Sequence, residues 1–145
     1  MADQLHQGFW QDLLAGDAGG SPDLRVFLFM SSFSADPAAV HLDEATLDEF
    51  DGVGYGRIAC ASVSVAYDTG SGQVRVDFDD DAWGDPVAAG SEAPAGLGLY
   101  RHVDGTAAAD VLWASITTGS FVNANNGAYT LVLPTGGLLF GRQAA

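Results

Sequence analysis

The sequence predicts a mainly β fold: an antiparallel sandwich or small barrel of about seven strands, with a short N-terminal helix and room for one further short helix. Three observations predict it. Short runs rich in Val, Leu, Tyr and Phe recur about every dozen residues, each bounded by Gly, Pro, Asn or Asp. Val74, Val76 and Phe78 alternate with Arg75, Asp77 and Asp79, which is the period of a strand with one wet face. Helical spacing is strong only in the first segment, so the pattern does not suit strand–helix–strand units.

In chain order, Leu5, Phe9, Trp10, Leu13 and Leu14 fall on one helix face over Asp3–Ala15, with Asp3 as N-cap and Gly16 as the stop. After the Gly19–Pro22 break, the bulky run Leu24–Met30 reads as a strand covered on both faces. Leu42–Phe50 reads as the second, acidic helix. A strand over Arg57–Tyr67, a glycine-rich hairpin loop at Asp68–Gly72 and the alternating strand from Val74 follow. Pro86–Gly96 is a loop, and Leu97–Val103 a strand. Asp104-Gly105 turns into a strand over Asp110–Thr117. Asn123–Gly127 turns into Tyr129–Leu133, and Leu138–Phe140 closes the chain.

The 145 residues suit one domain, 1–145, with 1–20 as a helical N-terminal arm. There are 19 acidic residues, 16 of them Asp, against 5 arginines and no lysine, for a net charge of −14. That balance excludes a nucleic-acid binder, which needs clustered cations to meet phosphates, and disfavours an anionic membrane surface. Apolar content of 48% and a mean hydropathy of +0.14 argue against disorder. Cys60 stands alone between alanines and reads as a small core residue. No secretory start or apolar span is visible, which predicts synthesis in a cytosol.

Candidate chemistry is sparse. Asp77, Asp79 and Asp81 carry the spacing of the first three ligands of a calcium loop, with Asp85 close behind. The sixth and twelfth positions fall on Ala82 and Ala88, where Gly and a bidentate Glu belong, so the run reads as a solvated acidic loop and no metal is expected. His6, His41 and His102 are scattered, with surface roles expected, and no Gly-x-Ser-x-Gly or phosphate cradle is present. Neither an enzyme nor a cofactor is expected, although a Ser/His/Asp set assembled from distant segments is open to this chain. Among the aromatics, Trp10 and Trp113 read as core and Trp83, in the acidic loop, as exposed.

The order of segments resembles a family of small structural proteins of tailed bacteriophages. Phe9-Trp-Gln-Asp-Leu-Leu-Ala-Gly-Asp17 and Pro22-Asp-Leu-Arg-Val-Phe-Leu28 are similar to that family's opening helix with its Leu-Leu-x-Gly stop and to its first strand. Gly56-Arg-Ile-Ala59, Val74–Asp79, Gly98-Leu-Tyr-Arg-His-Val-Asp-Gly105, Leu112-Trp-Ala-Ser115, Asn126–Leu131 and Gly137–Phe140 resemble later strands in order. Arginine or neutral residues replace the usual lysines, and Asp36–Asp51 is an acidic insertion. The resemblance implies a virion structural protein, a capsid decoration protein on the outer head surface, assembled in the host cytoplasm. Its implied partners are the major capsid protein lattice and further copies of itself, trimers included. A tail or tail-fibre module of the virion is the alternative. Contact candidates are Phe9 and Trp10 at one end, Trp83, and Leu138 and Phe140 at the other, although periodicity alone makes both ends core.

Overall fold

The computed structural model describes residues 4–19, 21–117, 121–134 and 137–140. It bears out the mainly β, antiparallel, sandwich-like expectation. A five-stranded sheet is formed by β1 (Gln4–Leu5), β8 (Val111–Thr117), β7 (Gly96–Arg101), β2 (Leu24–Phe29) and β3 (Ile58–Ala59), in that spatial order. A three-stranded sheet places β10 (Leu138–Phe140), β5 (Gln73–Asp77) and β4 (Ser64–Asp68) side by side. A ribbon pairs β6 (Asp81–Val87) with β9 (Gly127–Leu131). Among the described residues these sheets stay open and no barrel closes.

The central sheet is buried on both faces, as the unbroken apolar run in β2 requires. Leu24, Val26 and Leu28 join Leu97, Leu99, Val111 and Trp113 in the main core, against Val74 and Val76 of β5 and Trp83 and Val87 of β6. Phe27 and Phe29 point the other way, into a second cluster with Phe33, Ala39, Leu42, Tyr100 and Leu112. The long β2–β3 connection covers that face. Gly98 and Gly96 lie directly opposite Phe27 and Phe29 in the β2–β7 register, and a Cβ on either glycine would enter the facing ring. The alternation Gly96-Leu97-Gly98-Leu99 therefore supplies leucines to one core and floor space for aromatic rings to the other.

Several expectations are corrected. In the first segment β1 pairs with β8, and the helix α1 spans only Gln7–Ala15, packed across β8. His6 is its N-cap, and the expected cap Asp3 lies outside the described residues. Gly16 ends the helix in the left-handed conformation, as expected. Leu42–Glu44 forms one 3-10 turn. The residues after it run extended, because Ser34↔Thr46 and Phe29↔Glu49 bridges recruit them to the end of β2. Arg57–Tyr67 is two strands in different sheets, and the chain crosses between them at Ser62, which takes a positive φ. Asp81–Val87 is strand rather than turn and loop, with Pro86 in a register gap between Gly84 and Val87 where no ladder donor is needed. Among the described residues these changes give more strands than the roughly seven expected.

Candidate functional site: an apolar patch on an acidic body

Helix α1 sits on the sheet by an unusual face. The residues it buries are Gly8, Phe9 and Asp12, not the leucines. Phe9 is fully buried, edge-on to the Trp113 ring at 5.3 Å between centroids. The Asp12 carboxylate is buried beside it. Oδ2 accepts hydrogen bonds from Trp113 Nε1 and Arg101 Nε, both at 2.7 Å, and Oδ1 accepts one from Arg101 Nη2 at 2.8 Å. A buried charge held this way sets the helix rotation, since any other rotation leaves that carboxylate unpaired.

The consequence is that much of the apolar stripe faces water. Trp10 is 43% exposed, Leu13 45% and Leu14 89%. Across from them Tyr67 on β4 is 60% exposed. Between the helix and the β4–β5 hairpin runs a cleft of about 130 Å³, lined by Phe9, Trp10 and Leu13 of the helix segment, Val65, Ala66 and Tyr67 of β4, and Val74. The hairpin itself is held by its loop: Asp68 accepts from Gly70 N at 2.9 Å and from the Ser71 hydroxyl at 2.8 Å.

The contact candidates separate accordingly. Trp10 lies in the patch. Phe9 forms its buried floor and is unavailable to a partner. Trp83 is 2% exposed, because the β6 pleat turns it into the main core beside Tyr55, with ring centroids 5.8 Å apart. Leu138 is half-buried at an apolar cavity shared with Leu97, Ile116 and Leu131. The Phe140 backbone pairs with Val74, and its side chain lies outside the described set. Leu13, Leu14 and Tyr67 were missed as surface residues. Periodicity marks a helix's apolar stripe but not which part of it a buried Asp will turn outward.

The acidic run does not converge. Asp77 and Asp81 each accept from the next backbone N–H, at 3.0 Å and 2.7 Å, and Asp79 accepts from the Ser62 hydroxyl at 2.8 Å. Asp85 is exposed further along β6. Among the described residues, the trio whose potential ligand atoms fall within 4.8 Å of one another is His41, Asp43 and Glu44. There Glu44 accepts from Val40 N at 3.0 Å and faces His41 Nδ1 at 3.2 Å, contacts local to the 3-10 turn.

One serine and one histidine do meet. His6 Nδ1 faces the Asp36 carbonyl oxygen at 3.0 Å, which can only accept, so Nδ1 carries the proton and Nε2 accepts from the Ser115 hydroxyl at 3.0 Å. Both side chains are buried, against the surface role expected of His6. The Asp36 carboxylate turns away to the Ala38 backbone N–H. The pair ties the start of α1 and the Asp36 loop to β8, and both side chains are closed off from solvent. Burial pushes the His6 pKa down, outweighing the bond to Asp36 and that residue's charge. Comparison with family models, curated proteins and solved structures found no match to this chain.

Proposed function

We propose that this chain is a structural protein of a tailed-phage virion, a capsid decoration protein that docks on the outer surface of the head and performs no catalysis. The observation that carries the reading is the exposed apolar patch of Trp10, Leu13, Leu14 and Tyr67 on a body of net charge −14. Contiguous apolar surface of this kind is removed from water by a partner, and aromatic residues at its centre supply much of the contact energy. Acidic surface elsewhere keeps decorated particles apart by repulsion. The resemblance of the strand and turn motifs to small phage structural proteins supplies the identity of the partner, the major capsid protein lattice.

Assembly in the host cytoplasm and grouping of copies as trimers about lattice symmetry points belong to the same proposal. Cryo-EM of the parent virion, with this chain sought in every shell, tests it. Density on the outer head lattice, contacting it through Trp10 and Tyr67, is the expected result. Density confined to the tail would transfer the docking role there, and absence from the particle would overturn the virion reading. Sedimentation of the chain on and off the head checks the trimer.

A further inference from the structure

We infer that β4 is a strand-addition edge that takes one extended polypeptide segment whose side chains alternate between apolar and basic. The inference rests on the docking reading above and gives its partner a chemistry. Among the described strands β4 pairs only with β5, so it ends its sheet. In an antiparallel pair every second residue of such a strand turns its N–H and C=O outward. Edges are normally blunted by Lys, Pro or a bulge. Ser64-Val65-Ala66-Tyr67-Asp68 has none of these: it keeps regular register through five pairs and carries one charge, at its end.

The two faces of β4 differ. Val65 and Tyr67 stand opposite Val76 and Val74, on the face that borders the cleft against Trp10 and Leu13. Ser64, Ala66 and Asp68 stand opposite Asp77, Arg75 and Gln73 on the other face, where Arg75 Nη2 is 3.9 Å from Asp68 and the two carboxylates outnumber the one cation. A strand laid along β4 would place alternate side chains in the apolar cleft and the others over a polar surface in water. That is the division of labour in strand addition, with main-chain bonds giving affinity and pockets for alternate side chains giving specificity. The charge of −14 and the absence of lysine select a basic segment and disfavour a second copy of this chain, which brings the same charge.

The test uses the full chain and a short, end-capped peptide of alternating valine and lysine. One control peptide replaces lysine with glutamate, and two others carry N-methyl groups on alternate residues, one in each register. The valine–lysine peptide should bind and slow hydrogen exchange at the amides of β4. The glutamate peptide, one N-methyl register, and the variants Trp10→Asp and Tyr67→Asp should each weaken binding by about tenfold or more, a loss of roughly 1.4 kcal/mol. Absence of binding, equal binding of all four peptides, or protection that falls elsewhere would overturn the inference. Peptide binding at β4 by a chain that ignores phage heads would sustain the inference and sink the virion reading. Head binding indifferent to Trp10→Asp and Tyr67→Asp would do the reverse.

Discussion

The indole Nε1 of Trp113 donates a 2.7 Å hydrogen bond to the carboxylate of Asp12, a residue 101 positions earlier in the chain. This bond and the two from Arg101 decide which side of α1 meets the sheet, and so which apolar residues the protein shows to a partner.

Replacing Asp12 with Ala leaves the buried indole N–H without its acceptor and takes from the half-buried Arg101 its two short hydrogen bonds, with Asp17 at 3.8 Å as the remaining carboxylate. The expected loss is about 3 kcal/mol, typical of breaking one side of a buried ion pair. Urea unfolding should show a lower midpoint with an unchanged slope. Asp12→Asn, which keeps an acceptor oxygen for one of the donors, should lose less.

His6 makes stability depend on pH. Its folded-state pKa lies below the ordinary imidazole value of 6.5, so below that pH the unfolded chain binds the proton more readily. Stability should therefore fall as pH drops below about 6.5 and level off once the folded-state value is passed. His6→Gln should flatten that window alone. Asp110 acts lower: burial opposes its ionisation, but backbone N–H bonds from Val103, Gly105 and Asp104, with the charge of His102, outweigh it. Its contribution is present above the ordinary value of 3.8 and is lost as pH falls through the depressed one. Melting curves of the two chains from pH 8 to 5 would separate the His6 part.

Gly98→Ala would drive a methyl group into the Phe27 ring, which the second core holds in place. A destabilisation of about 1–3 kcal/mol is expected from such overpacking. Gly19→Ala, whose added Cβ would have its nearest neighbour at 3.7 Å, should cost far less in the same denaturation assay.

Cys60 should be a slow thiol. Burial first, then the charges of Asp81 and Asp23, push its pKa up to about 12, so little thiolate exists at pH 8. Reaction with an aromatic disulfide reagent should be much slower than that of a free cysteine and should accelerate when urea unfolds the chain. Fast reaction in the native state would contradict this environment.

Much of the fold was legible in local patterns. The stop at Gly16, the twice-covered strand at Leu24–Phe29, the Asp68–Gly72 hairpin and the alternation through Val74 and Val76 each depend on residues within a few positions of one another. The extended stretch after Glu44 was not legible, because it takes its shape from bridges to Ser34 and Phe29 rather than from its own propensity. Trp83 was misplaced for a similar reason: an acidic neighbourhood in sequence says nothing about which way a strand pleat points.

The sequence by itself determined the β class, the strand spacing, the excess of acidic over basic side chains and the apolar character of the first helix. Those properties follow from composition and from periods of two and 3.6 residues. The tertiary structure decided which apolar residues are buried and which are offered. Asp12 found its partners on β7 and β8, far away in the chain, and satisfying that buried charge rotated Trp10, Leu13 and Leu14 toward water beside β4, which ends its sheet among the described strands.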